Sequence, residues 1–332
     1  MRKSTDPKIV IVTRQTRMKA LRGKFATRGL AKFAMMRARE LELSKQSSAV
    51  PAKAETAAVF DELEQEDRQY DAAAEQVRET LNLQELGMPV LSIDRDFVPN
   101  FVFGPDDIVV TLGQDGLVAN TAKYALGLPI IAVNPDPSRI DGVLLPFKVN
   151  ETRAAVMSAI NGKARHREVT LAEARLTDGQ RLLAFNDLFI GMKSHVSARY
   201  RIADGPRSEE QSSSGVLVST GAGSTGWLSS VFNMVAGIGD VFGKHNQPTP
   251  MKLSWEDPRL VFVVREPFVS RTSAASVVAG TVDAGKELVI ESLMSAGGVI
   301  FSDGVEADFL EFNSGATARI ATAEKKVRLV VK

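Results

Sequence analysis

Residues 106–120 read Asp-Asp-Ile-Val-Val-Thr-Leu-Gly-Gln-Asp-Gly-Leu-Val-Ala-Asn, and no other stretch restricts the fold so tightly. Ile108, Val109, Val110 and Leu112 make a short apolar run, as expected of a strand buried on both faces of a parallel sheet. The run stops at Gly113. Gly113-Gln114-Asp115-Gly116 predicts a tight turn, after which Val118, Ala119, Ala122 and Leu126 fall at helical spacing. Such a loop can hold phosphate, because its glycines let backbone N–H groups approach an anion and the following helix adds its positive dipole end. Asp115 repels that ligand unless it takes a proton or helps to hold a metal, which points to phosphoryl transfer rather than simple anion binding. Asp115-Gly116 also fits a plain turn dipeptide, and spacing alone leaves both readings open.

Around this stretch the first half alternates strands with helices. A strand at residues 8–13 leads into Arg14-Gln15-Thr16-Arg17, where Arg14 and Arg17 either meet a phosphate or begin a solvated helix. A basic helical segment at 18–43, a loop at 44–54 and an acidic helix at 55–81 follow. Strands at 90–93, 108–112 and 130–133 complete the pattern of a parallel, doubly wound α/β domain, whose ligands collect at the carboxyl ends of strands. After a short helix at 154–160 the pattern changes to hairpins, marked by Asp178-Gly179 and Asp204-Gly205. Strands are predicted at 169–176, 181–190, 196–202, 216–219, 260–264, 276–278, 286–291, 298–302, 316–321 and 327–331, with a helix at 227–236. The second half is therefore mainly β.

Composition excludes several classes. A formal net charge of +1 supplies no global field for nucleic acid or a membrane surface. The absence of cysteine removes disulfides, thiolate metal sites and a cysteine nucleophile. His166, His195 and His245 are widely separated in polar surroundings and give no catalytic or metal constellation. No run reaches membrane-spanning length, and Met1-Arg2-Lys3 lacks the apolar region of a signal peptide, so the expectation is a cytoplasmic protein.

Three further loops carry candidate chemistry. Gly221-Ala222-Gly223-Ser224-Thr225-Gly226 matches G-x-G-x-x-G after a strand, but hairpins flank it and Asp240 precedes any later strand, which opposes a Rossmann reading. Its small residues and the hydroxyls of Ser224 and Thr225 still admit a nucleotide. Residues 237–244 imitate a P-loop with the wrong spacing and His245 in place of the hydroxyl residue. Asn186-Asp187 interrupts an apolar series and needs partners, either a structural network or a ligand. Ser302-Asp303-Gly304 ends an apolar strand and fits a hairpin turn.

With Gly113-Gln114-Asp115-Gly116, Asn186-Asp187, Thr220 to Trp227 and Ser302-Asp303-Gly304 in this order, the chain resembles the NAD kinase family. It looks closest to the mitochondrial-type branch, from Thr16-Arg17, Asn134-Pro135-Asp136-Pro137-Ser138-Arg139 before Gly142 and Leu145-Pro146, and Arg265-Glu266-Pro267. The resemblance implies an α/β nucleotide-binding domain at 1–148 and a mainly-β, sandwich-like, NAD-binding domain at 149–332. It implies NAD or NADH as acceptor, ATP or polyphosphate as donor with Mg²⁺ or another divalent metal, and a homodimer or homotetramer. No metal ligands are assigned. By the same analogy Asp115 takes the proton of the adenosine ribose 2′-hydroxyl, and Gly113, Gln114 and Gly116 lie against the substrate. Asn186 and Asp187 hold NAD through ribose and base, Thr220, Gly223, Ser224, Thr225 and Trp227 pack around the nucleotide, and Asp303, the acid of the late turn, is a further substrate contact.

The chain departs from the usual Gly-Gly-Asp-Gly-Thr at Gln114 and Leu117. Gln114 raises the question whether the backbone there needs φ above zero, and Leu117 removes a hydroxyl. Altered donor handling or acceptor choice is the expected consequence, with phosphoryl transfer retained. The alternatives are a superfamily kinase for a sugar, nucleoside or lipid hydroxyl, and a non-catalytic dinucleotide sensor.

Overall fold

The computed structural model describes residues 6–44, 52–82, 84–243 and 251–332, and side chains outside 38–44, 52–58 and 84. The chain divides into two compact units. One comprises the described part of Met1–Thr121 with Ile131–Ala164 and Val331–Lys332; the other comprises Ala122–Ile130 and Arg165–Val330.

The first unit holds β1 (Ile9–Thr13), β2 (Val90–Asp94), β3 (Ile108–Leu112), all but the first two residues of β4 (Pro129–Asn134), and β5 (Phe147–Lys148), ordered β2-β1-β3-β4 with β5 beside β4. β1 pairs in parallel with both β2 and β3, so the chain winds outward in two directions from β1. Every residue of β3 is buried, as its unbroken apolar run requires. Five helices accompany the sheet: α1 (Arg17–Phe25), α2 (Arg28–Ser44), α3 (Ala52–Leu81), α4 (Asp115–Ala122) and α5 (Thr152–Ile160). The single helix predicted at 18–43 is two, because Ala26 takes φ 60° and ends α1. The Thr16 hydroxyl caps α1 at the Lys19 N–H, and the Thr27 hydroxyl accepts from the Leu30 N–H in the first turn of α2. Along α3, Phe60, Leu63, Tyr70, Ala73, Val77 and Leu81 are buried at helical spacing, whereas Val59 is exposed.

The second unit is mainly an antiparallel sandwich, and two of its strands, Arg165–Val169 and Val327–Val331, lie outside the two sandwich sheets. Its strands are β6 (Arg165–Val169), β7 (Ala172–Leu176), β8 (Arg181–Ala184), β9 (Asp187–Met192), β10 (Ala198–Asp204), β11 (Arg207–Ser213) and β12 (Val216–Ser219). They continue with β13 (Leu260–Val264), β14 (Ala279–Val282), β15 (Leu288–Ser292), β16 (Gly298–Ser302), β17 (Val305–Glu311), β18 (Thr317–Thr322) and β19 (Val327–Val331). One six-stranded sheet runs β11-β10-β15-β18-β7-β8, the other β14-β13-β12-β9-β16-β17. Leu188, Ile190, Val218 and Phe262 of one sheet share a core with Ala174, Tyr200, Ile290 and Ile320 of the other. β19 pairs in parallel with Pro129 and Ile130 at the start of β4. Helix α6 (Trp227–Phe242) lays Leu228 on Leu217 and Val261, on the far face of the second sheet.

Several predicted boundaries move. Helix α4 starts at Asp115 and ends at Ala122, so Leu126 lies beyond it, and α6 runs six residues past the predicted end at 236. The strand predicted at 181–190 splits at Phe185-Asn186, and the one at 169–176 splits at Thr170-Leu171 between the end of β6 and β7. No strand forms at 276–278: the N–H groups of Ser276 and Val277 donate to the Glu209 carboxylate, and β14 begins only at Ala279. Among the described residues no helix is long and apolar enough to cross a membrane.

Candidate functional site

In the first unit the glycine loop joins the carboxyl end of β3 to α4. Gly113 donates its N–H to the Val133 carbonyl at 3.2 Å, and a Cβ on it would stand 2.8 Å from Leu117 Cδ2. Leu117 is buried and fills space beneath the loop. Gln114 does not have positive φ; its carbonyl accepts the Leu117 N–H at 2.8 Å and starts the helix. The extra Cβ there is unstrained. A Cβ on Gly116 would meet nothing within 4 Å, so the backbone there is open to approach.

Asp115 is the first residue of α4 and is partly exposed. Its Oδ1 accepts the Leu144 N–H at 2.9 Å and its Oδ2 the Val143 N–H at 3.2 Å. Each oxygen keeps a lone pair beyond that bond. Beside the loop, a cavity of about 300 Å³ is lined by Arg14, Arg17, Glu66, Gln114, Asp136 and Arg139. Glu66 of α3 bonds both Arg14 (2.9 Å) and Arg17 (2.6 Å). Burial pushes the Glu66 carboxyl up, but the two guanidinium groups outweigh it and hold the group below its ordinary range. Arg14 also lies over the Tyr70 ring, and the Tyr70 hydroxyl donates to the Leu112 carbonyl while accepting the Arg14 N–H, each at 2.8 Å.

In the second unit the predicted polar residues form one connected piece. Asp303 and Gly304 link β16 to β17 with φ of 53° and 69°, both left-handed, as a two-residue hairpin loop of type I′ requires. The Asp303 carboxylate points inward and accepts the N–H groups of Phe185 (2.9 Å), Asn186 (2.6 Å) and Asp187 (3.3 Å). Lys123 Nζ stands 3.8 Å away. Burial raises the Asp303 carboxyl above its ordinary range, and Lys123 and the three N–H donors, which favour the anion, offset that rise only in part. Asp187, 9% exposed, is pushed up to about 7 by burial and then by the neighbouring Asp303 charge.

The loop after β12 packs on the same turn. Thr220 donates its N–H to the Asn186 carbonyl (2.9 Å) and its hydroxyl to the Phe185 carbonyl (2.6 Å). A Cβ on Gly223 would lie 2.1 Å from the Asn186 carbonyl oxygen, and one on Gly221 1.8 Å from that of Ser254. Ser224 is buried, donating to the Gly221 carbonyl and accepting the Leu253 N–H. Thr220, Gly223 and Ser224 therefore shape the loop, and the open groups are Thr225 and Trp227. Trp227 stacks on Phe189 at 5.7 Å, with the Arg265 guanidinium 5.2 Å from its ring.

Sequence reasoning passed over Lys123, Asp308 and Glu66, charged residues whose partners are remote in sequence. His166 and His195 are exposed, and His245 lies outside the described residues, as do Lys244 and Met1 to Lys3. Among the described residues no group of three or more His, Asp or Glu side chains is placed to hold a metal.

No protein-family profile matches the chain. A NAD kinase of Chlorobium phaeobacteroides (strain BS1) is 27% identical over 145 residues, 42% of this chain and 48% of that protein. The chain thus spans about half the length of this curated relative. A crystal structure of yeast NADH kinase complexed with NADH matches with a TM-score of 0.53 and 15% identity, over 99% of this chain and 84% of that one. An α/β unit with a glycine loop, joined in one chain to an antiparallel sandwich, defines a two-unit α/β plus β fold. More narrowly, the fold is that of the NAD(H) kinases.

Proposed function

We propose that the chain is a phosphotransferase of the NAD kinase family that makes the adenosine 2′-phosphate of NAD or NADH from ATP or polyphosphate. The observation that carries this reading is a carboxylate, Asp115, opening the helix after a glycine loop at the end of a buried parallel strand, in a chain with an NADH kinase fold. The mitochondrial-type branch, residues 1–148 and 149–332 as the two functional domains, and a homodimer or homotetramer belong to the same proposal.

In this reading the 2′-oxygen forms a bond to the donor's terminal phosphorus and the bond to the bridging oxygen breaks, releasing ADP or shortened polyphosphate. The hydroxyl proton passes to Asp115, whose two backbone hydrogen bonds fix its orientation. A loose transition state leaves the protein mainly positioning and charge neutralisation to supply. Gly113, Gln114 and Gly116 offer backbone to the nucleotide; Arg14 and Arg17 take donor phosphate in exchange for Glu66. Asn186 and Asp187 bind ribose and base, and Trp227 offers a ring face, with Thr225 at the loop's open side. A bound divalent cation supplies further neutralisation on the phosphates.

The test is purified chain with Mg²⁺, ATP or polyphosphate, and NAD or NADH, followed for NADP or NADPH. Formation that is lost in Asp115→Asn supports the proposal; no product with any combination refutes it. A second reading, a dinucleotide sensor, draws on both Asp115 oxygens already accepting backbone N–H groups. Tight NAD binding without turnover decides for the sensor. Donor consumption only with another hydroxyl compound decides for a different acceptor.

A further inference from the structure

Lys123 is a buried cation that the proposed reaction does not use. Its side chain is 3% exposed, and its ammonium donates to Ser302 Oγ at 2.7 Å, with Asp308 Oδ2 at 3.7 Å and Asp303 Oδ2 at 3.8 Å. Asp308 accepts in turn from the Tyr124 hydroxyl. An ammonium in such a place is retained only where anions compensate it. The side chain of Asp303 is 1% exposed, and all its other partners are N–H donors. A protonated Asp303 would turn an O–H against one of those donors and release it.

We propose that Lys123 is a positioning residue for nucleotide binding: its ammonium favours the carboxylate form of Asp303, and that carboxylate holds the 185–187 backbone that presents Asn186 and Asp187. This rests on Asn186-Asp187 being the nucleotide-binding pair. It also assigns Asp303, read from sequence as a substrate contact, to the support beneath that pair. Among the described residues the charged and titratable groups around Asp303 are Lys123, Asp187, Asp308 beyond Lys123, and the Tyr124 hydroxyl, which burial and Asp308 push up so that it stays neutral near pH 7. Removing the ammonium therefore raises the pH at which Asp187 and Asp303 together take up their first proton.

The experiment compares full-length wild type, Lys123→Met and Lys123→Arg by thermal unfolding, by NAD titration calorimetry across neutral pH, and by steady-state kinetics. Lys123→Met is expected to weaken NAD about 10-fold with kcat within about threefold, and to move the midpoint of the pH dependence up by about one unit. Lys123→Arg restores the midpoint. A folded Lys123→Met with wild-type NAD affinity and an unmoved midpoint overturns the proposal, as does a midpoint moved equally by both variants. If wild type binds no NAD, the reading of Asn186-Asp187 fails by itself. The relay is then decided by carbon-13 titration of the Asp187 and Asp303 carboxyls in the free protein: a midpoint raised in Lys123→Met sustains it, and an unmoved one ends it.

Discussion

Two glycine-rich loops in this chain join a strand to a helix, and they owe their glycines to opposite causes. At Gly221 and Gly223 the missing Cβ makes room for protein: the carbonyl oxygens of Ser254 and Asn186 stand where it would go. At Gly116 nothing lies within 4 Å, and the space is open. The G-x-G-x-x-G spacing belongs to the packed loop, the one whose glycines are already used. A glycine pattern therefore reports close approach to the backbone without saying whether a ligand or the protein itself approaches.

The largest expected effect lies at the open loop. Asp115→Asn should lower the rate of NADP formation by about 10²- to 10⁴-fold, the usual value of general-base help. Stability should fall by only about 1 kcal/mol, because the amide can offer one oxygen to the Val143 and Leu144 N–H groups in place of two. Turnover assays and denaturant unfolding of the same sample separate the two effects; an equal loss in both would erase the distinction between the loops.

At the packed loop the effect reverses in kind. Gly223→Ala sets a methyl 2.1 Å from the Asn186 carbonyl, which is backbone and cannot swing aside. A loss of about 3 kcal/mol or more is expected, read in chemical denaturation, with the 185–187 turn displaced. A variant as stable as wild type would show that the loop yields.

Next in size is a pH effect beneath the packed loop. The Asp187 carboxyl rises from 3.8 to about 7 on folding, so the folded state holds its proton more tightly than the unfolded state does. The stability contributed by that protonation is complete below 3.8 and is lost as pH rises through about 7. The slope is at most about 1.4 kcal/mol per pH unit. Asp187→Asn should reduce the slope, leaving the part that Asp303 contributes, and stabilise the protein at neutral pH while weakening nucleotide binding. Unfolding curves at several pH values test this, and parallel curves for the two proteins would exclude it.

How much of this was legible in the sequence depended on where a residue's partners lie. Strands whose burial alternates or runs unbroken were readable: those at 108–112, 216–219, 260–264, 298–302 and 327–331 match their predicted bounds. The α/β unit followed by antiparallel β sheets was readable for the same reason. β11 (Arg-Ser-Glu-Glu-Gln-Ser-Ser) is an edge strand with no apolar period, whereas the edge strand β17 does alternate Val305, Ala307 and Phe309 with Glu306 and Asp308 and was passed over. Glycine, Asp-Gly and Asn-Asp signals located the candidate loops because turn chemistry is local. The Lys123–Asp303 pair spans 180 positions and the Arg17–Glu66 pair 49, and no local pattern announces a buried cation or a carboxylate between two arginines. Nor did spacing show that Ser224 and Thr220 spend their hydroxyls on the backbone.

The smallest effect is also the most discriminating. Gly116 lies inside α4 with negative φ and open surroundings, so Gly116→Ala should stabilise the protein by about 0.4–1 kcal/mol through the unfolded chain. If the open space serves nucleotide approach, the same methyl should raise KM for the donor or NAD while thermal stability climbs. The opposite movement of KM and Tm is what a ligand-facing glycine produces and a protein-facing one, such as Gly223, does not. A gain in Tm with unchanged KM would leave Gly116 with no partner to admit, and the contrast between the two loops would then reduce to packing alone.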